Sequence, residues 1–319
     1  MPISFEEQNL QSFEPDKLLH VLDDTQMEHR LLAAGNLEAH LQRLVVGDLI
    51  ISTGDYRFPV CIRGGAPHDK AFIGFYWSIP GEVRENYHAI SLDHLLLYAP
   101  GTEAYVTTRG SVGWGMLILP IKRLQETAIA LHGVDLEWPR QGIRYLDLPS
   151  LLARHLRQEV SSLLKLGQNL DTLFDNGLTE SLVCSGLIQL LVHAIVNGTQ
   201  SSRPQLKLSD CRRRALVAME TCISRWKSNP VNDLRVAEIK GTSERILQLA
   251  SREIYGVTPH RWLMIARLNA AYHDLLGGRC MSVTEACGRW KFNHPGHFAR
   301  DYRNVFGESP RETLQRARA

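Results

Sequence analysis

Val283 to Leu314 reads VTEACGRWKFNHPGHFARDYRNVFGESPRETL: a short helix, a tight turn and a basic helix. Val283, Ala286 and Cys287 repeat at helical spacing, and Trp290 and Phe292 close a small core around the turn. On the second helix Phe298, Tyr302 and Phe306 recur at i, i+4 and i+8 and are expected to face inward. His294, His297, Arg300 and Arg303 recur on another face. A helix with one aromatic face and one cationic face, held by a shorter helix across a turn, suits the major groove of DNA.

Asp233 to Ile254 repeats the pattern: Val236, Ala237 and Ile239 precede a turn at Lys240-Gly241-Thr242, Ser243 is placed to cap the next helix, and Ile246, Leu247, Ala250 and Ile254 are its buried positions. A long helix from Pro259 to Leu276 joins the two units, and a further helix covers Ser209 to Ser228.

The run Phe292-x5-Phe298-x-Arg300-x-Tyr302-x3-Phe306-Gly307-x-Ser309-Pro310 resembles the second helix-turn-helix of the AraC/XylS family of bacterial transcription regulators. Thr242 to Gln248, Gly256-x-x-Pro259 and Arg267-Leu268-Asn269-Ala270-Ala271 resemble the first unit and the connecting helix. Leu249 stands where the family usually has a basic residue, Ser251 where it has an aromatic, and Lys291 where it has a glycine. The lost cation removes a DNA contact, the lost aromatic weakens a small core, and Lys291 sits where a turn often needs φ > 0. The resemblance covers residues 209 to 316 and implies double-stranded DNA as partner, RNA polymerase at a promoter, a homodimer and a small-molecule effector. It also implies two recognition helices about 34 Å apart on one DNA face.

Arg245, Gln248, His294, His297 and Arg300 are the candidate base readers, since Arg pairs with guanine O6/N7 and Gln with adenine N6/N7. Lys240, Ser243, Arg252, Lys291 and Arg303 are candidate phosphate contacts.

Charge agrees with this division. The chain of 319 residues carries a net +2, but residues 206 to 319 hold 20 Lys and Arg against 11 Asp and Glu, so the remainder is acidic. The length suits two domains. From Leu41 to about Ile121 short apolar runs separated by Gly and Pro indicate a β sandwich or small cupin-like barrel. From Pro149 the period becomes helical, with Leu152, Leu156, Val160, Leu163 and Leu164 on one face and Leu182, Val183, Leu187, Leu190, Leu191 and Ala194 on a second helix. The expected class is α+β: a β-rich regulatory domain (1–148), a helical dimerisation segment (149–196), a linker (197–208) and an all-α DNA-binding domain (209–319) with units at 233–256 and 283–307.

Six cysteines without C-x2-C spacing read as reduced thiols, the start MPISFEEQNL lacks a signal-peptide pattern, and no apolar run is long enough to span a bilayer. These point to a cytoplasmic protein with no membrane role. Other readings have weaker support. His294 and His297 with Cys280 or Cys287 lack the spacing of a zinc site, and His68, His88 and His94 lack a cupin His-x-His pair. The glycines of Arg109 to Gly115 have no following Lys-Ser/Thr and read as a strand turn. Neither a cofactor nor an enzymatic activity is expected; the rival is a cupin-like or DNA-repair enzyme fused to a DNA-binding module, and a third reading is a ligand-free regulator controlled by a partner protein. Some of Phe72, Phe75, Tyr76, Trp77, Tyr98, Tyr105 and Trp114 are candidates to line a ligand pocket, otherwise core.

Overall fold

The computed structural model describes residues 3–20, 27–33, 36–169, 177–201, 210–228 and 243–318. The chain divides into two compact units, one of residues 1–29, 37–57 and 62–203, the other of 30–36, 58–61 and 204–319.

The first unit is built on an eight-stranded sheet in the order β1-β3-β4-β11-β6-β9-β12-β13. These strands are β1 (Ile3–Leu10), β3 (Ala39–Val46), β4 (Leu49–Tyr56), β6 (Ala71–Ser78), β9 (His94–Tyr98), β11 (Val112–Leu119), β12 (Ile143–Asp147) and β13 (Thr199–Gln200). A smaller sheet runs β2 (Glu28–Leu31), β5 (Val60–Gly65), β10 (Glu103–Thr108), β7 (Val83–Glu85) and β8 (His88–Ala89). β3 and β4 are joined by the two-residue turn Gly47-Asp48, with Val46 opposite Leu49 and Gly47 at φ +64°. Short primed turns match the strand twist and need positive φ, which glycine adopts freely.

Strand β11 is buried at every position, because both faces of the sheet are covered. Its odd-numbered side chains Leu117 and Leu119, with Ile73, Leu95, Leu97, Ile51 and Leu49 of neighbouring strands, pack against helices. Its even-numbered side chains Trp114 and Met116 face the interior between the sheets, where a cavity lies.

The covering helices are α2 (Ile121–His132), α3 (Ser150–Gly167) and α4 (Gly177–Asn197), following a short α1 (Pro15–His20). Leu156, Val160, Leu163 and Leu164 of α3 and Leu187, Leu191 and Ala194 of α4 are buried in this same core. The leucine faces that suggested a dimer therefore cover the chain's own sheet, while Leu151, 77% exposed, stands outward. α2 has no counterpart in the sequence reading; it buries only Leu124 and Ala128, too few apolar positions for the period to be evident. Within the expected linker, Thr199 and Gln200 form a strand that pairs with Asp147 and Leu146; residues 202–208 of it lie outside the described residues.

The second unit contains α5 (Asp210–Ser228), α6 (Glu244–Tyr255), α7 (Pro259–Leu276), α8 (Val283–Arg289), α9 (Pro295–Phe306) and α10 (Pro310–Arg316). Hydroxyl caps start four of them: Ser243, Thr258, Ser282 and Ser309 each accept a backbone N–H of the first turn, and Ser309 with Glu312 forms a capping box. Gly256 and Gly307 end α6 and α9 in the left-handed conformation. Among the described residues no helix is long and apolar enough to cross a membrane.

Candidate nucleic-acid interface and effector cavity

Helix α9 is fixed by its aromatic face. Phe298 and Tyr302 are fully buried, Phe306 nearly so, and successive rings along the helix lie 5.5 and 4.6 Å apart. Tyr272 of α7 stacks on Phe306 at 4.4 Å, and the Tyr302 hydroxyl donates to Thr313 of α10 (2.9 Å). With that face held, His294, His297, Arg300 and Arg303 stand exposed on the other. His294 occupies the N-cap without a side-chain hydrogen bond to the helix, and its ring lies 5.4 Å from that of His297. Arg300 lies 3.5 Å from Asp301 and keeps most of its side chain in solvent.

The turn before α9 carries Lys291 at φ +55°, the left-handed region the sequence comparison with glycine anticipated. Arg267 of α7 braces that turn. Its Nε donates to the Trp290 carbonyl at 2.9 Å, its Nη2 donates to the Lys291 carbonyl, and its guanidinium lies 4.2 Å from the Phe292 ring centre. Trp290 in turn donates from Nε1 to Asp274 of α7 (2.9 Å), which also pairs with Arg279 and Arg289. Lys291, His294 and His297 thus border one polar cleft with His260 and Arg267, two residues the sequence reading gave no role. Among the described residues no group of three or more His, Cys, Asp or Glu is placed to hold a metal.

On α6, Arg245, Gln248 and Arg252 are exposed, and Gln248 donates to Glu244 at 3.2 Å. The Ser243 hydroxyl accepts the Ile246 N–H (3.3 Å), so the residue assigned to phosphate is first a helix cap. Lys240 and the first helix expected for this unit lie outside the described residues. Leu249 is 45% exposed on the same helix as Arg245 and Gln248. Ser251 is fully buried and donates to the Val257 carbonyl at 2.8 Å, so a hydrogen bond to the following turn stands where an aromatic would pack. Tyr255, the last residue of α6, and Trp262 of α7 stack 4.0 Å apart and both donate to Glu220 Oε1, at 3.0 and 3.2 Å.

In the first unit, Phe75, Tyr76, Tyr98 and Trp114 of the seven sequence-selected aromatics line a cavity of about 50 Å³. Phe75 fits there because Gly115 opposite has no side chain: a Cβ on Gly115 would lie 2.4 Å from the ring. Phe72 is core, packed on Tyr98 with centroids 4.7 Å apart, and Trp77 donates to Asp55 at 2.8 Å. The cavity also holds Glu85, which sequence reasoning did not single out although the alternation Val83, Arg84, Glu85 directs it inward. Its carboxyl accepts the hydroxyls of Tyr76 (2.9 Å) and Tyr98, and burial pushes its pKa up to about 7 against the pull of those two bonds. His94 starts β9 and is buried, paired with Asp147 at 2.9 Å. Gly110 turns into β11 at φ +141°, as expected for the glycine-rich stretch. The side chains of Cys61, Cys184, Cys280 and Cys287 are buried, whereas Cys211 is exposed.

A helix-turn-helix domain family model matches residues 236–316. Over 88 residues, 27% of the chain, the sequence is 42% identical to the probable thc operon regulatory protein of Rhodococcus erythropolis, of which 26% is covered. Over 84 residues, 26% of the chain, it is 34% identical to the XylDLEGF operon transcriptional activator 1 of Pseudomonas putida, of which 25% is covered. The match thus spans about a quarter of the length of these curated relatives. Among solved structures, a probable AraC family transcriptional regulator from Rhodopseudomonas palustris is 34% identical, covering 32% of this chain and 99% of that one at TM-score 0.29. The AraC-like transcriptional activator CuxR is 14% identical, with coverages of 84% and 96% and TM-score 0.40. The dense aromatic and capping pattern of α8 to α10 and these sequence matches coincide on one segment, and through that helix-turn-helix domain the chain belongs to the AraC/XylS family.

Proposed function

We propose that the protein is a sequence-specific transcriptional regulator that lays α6 and α9 into successive major-groove segments of its operator. The observation that carries this reading is the division of α9: an aromatic face fixed in the core leaves His294, His297, Arg300 and Arg303 exposed on a rigid helix. His297 and Arg300 read base edges with His294, and Arg245 and Gln248 do so from α6. Arg252, Lys291 and Arg303, with Lys240 and the hydroxyl of Ser243, contact phosphates, so affinity falls steeply with salt. The first unit takes a small-molecule effector in the cavity at Glu85. Self-association through α3 and α4 belongs to the same reading, and because their leucines are internal it uses the outward side near Leu151.

The test is selection of bound sequences from a randomised DNA pool, followed by the same selection with His297→Ala and Arg300→Ala. Each variant relaxes the choice at one defined base pair, by about 1–3 kcal/mol of discrimination. Affinity lost equally for all sequences makes the residue a backbone contact and overturns its assignment.

A further inference from the structure

We propose that the cavity of the first unit binds a small organic cation, a primary ammonium on a short unbranched apolar chain, with Glu85 as its counter-ion. The inference rests on the reading that this unit takes an effector, and adds the chemistry of the ligand.

Glu85 is 1% exposed, and the groups bonded to its carboxyl are two phenols, Tyr76 from β6 and Tyr98 from β9. A third phenol, Tyr145 from β12, donates to the Glu85 backbone carbonyl (3.0 Å) and is covered by the His88 ring at 4.0 Å. Arg84, the adjacent cation in sequence, is ion-paired with Glu82. Phenols satisfy the carboxyl as hydrogen-bond donors but bring no positive charge to it. A carboxylate taken out of water is strongly penalised until an opposite charge joins it, and here the ordinary range of its acidity is already displaced upward by burial.

The rest of the wall states what accompanies that charge. Phe75, Val106, Trp114 and Met116 make it almost wholly apolar, which suits a hydrocarbon chain. Tyr76, Tyr98 and Trp114 place aromatic rings around the same space, and ring faces attract ammonium groups. An anionic head group meets like charge at Glu85, and a neutral one leaves the carboxylate without a counter-ion. Size narrows the class further: the cavity is about 50 Å³, against about 150 Å³ for a protein cavity that holds benzene. A short chain fits, and a multi-ring ligand does not.

The experiment uses the full chain and three probes of similar size, small enough for this cavity, ethylamine, ethanol and acetate, with binding followed by calorimetry at about pH 8, where the amine is protonated. The amine binds about tenfold or more tighter than the alcohol, acetate does not bind, and Glu85→Gln makes amine and alcohol equal. Near pH 6, amine binding releases protons, read from the heat in buffers of different ionisation enthalpy, because the cation draws Glu85 into its charged form. The head-group series and the proton release are properties of the wild-type chain, so they decide the matter even if Glu85→Gln fails to fold. Equal affinity for amine and alcohol, tighter binding of acetate, no binding of any probe, or amine affinity unchanged in Glu85→Gln overturns the proposal. Operator affinity measured with and without ethylamine separates the two readings: a head-group preference with unaltered DNA binding keeps the cation site and sinks the effector role.

Discussion

Two side chains carry the clearest conflict between local chemistry and fold. Lys291 holds φ +55° in the turn before α9, a conformation in which Cβ crowds the backbone and which glycine adopts at no such penalty. Lys291→Gly is expected to raise stability by about 1 kcal/mol, and to weaken DNA binding with a salt slope shallower by about one. Urea midpoints and a salt titration of operator affinity check both; an unchanged or lower midpoint would remove the strain argument. Glu85 is the second case. Its folded pKa of about 7 lies above the ordinary carboxylate range, so between about pH 4 and 7 the folded state holds a proton that the unfolded state has lost. Stability therefore falls as pH rises through that window, by on the order of 3 kcal/mol, and flattens above it. Glu85→Gln removes this part of the slope, leaving the variant the more stable of the two near pH 8; parallel denaturation curves at about pH 5 and 8 test it. A wild-type slope retained in the variant would place the titration elsewhere.

At the scale of elements, α6 and α9 present different chemistry on similar scaffolds. α9 exposes imidazoles and guanidinium groups, whereas α6 places Leu249, 45% exposed, on the same helix as the exposed Arg245 and Gln248. In the sequence Leu249 was a lost cation; on the helix it is an apolar group suited to a thymine methyl. Leu249→Ala is expected to lower discrimination for A·T at one operator position by about 1 kcal/mol with little effect elsewhere. Competition binding with single-base operator variants measures this, and a uniform change across all variants would make Leu249 irrelevant to readout. The helices of this unit were legible because caps, aromatics at i and i+4, and terminal glycines all coincide in sequence. The strands β1, β2, β7, β8, β12 and β13 and helix α2 were not: β1 fully buries only Leu10, the other five have five residues or fewer, and α2 buries two residues, so each carries little periodic signal.

For the molecule as a whole, the second unit is not one continuous stretch. It includes residues 30–36 and 58–61, and Asn269 of α7 is the side chain that holds the first of these. Its Oδ1 accepts the Leu31 N–H (2.9 Å), and its Nδ2 donates to the carbonyls of Leu31 (3.0 Å) and Ile265 (2.9 Å). Beside it Arg30, 3% exposed, pairs with Glu220 at 2.8 Å, the carboxylate that Tyr255 and Trp262 also contact. A buried N–H and carbonyl left without partners cost about 1–3 kcal/mol each. Asn269→Leu in the full chain is therefore expected to destabilise this unit by roughly 2–4 kcal/mol, read as a lowered thermal transition. A transition within about a degree of wild type would show that the clamp contributes nothing to stability.

The sequence by itself determined the described C-terminal helices, the Ser243 cap and the residues exposed on α9, because each depends on neighbours within one or two turns of chain. It determined the class of the N-terminal part but not its layout. Only the tertiary structure decided that the leucines of α3 and α4 cover the sheet, that Ser251 bonds a turn, and that Asn269 and Glu220 hold residues near position 30. It alone put Glu85 among phenols from three other strands. The reason is physical: burial, charge pairing and the acidity of a carboxyl are set by groups far apart in sequence, which only the folded chain brings within a few ångströms.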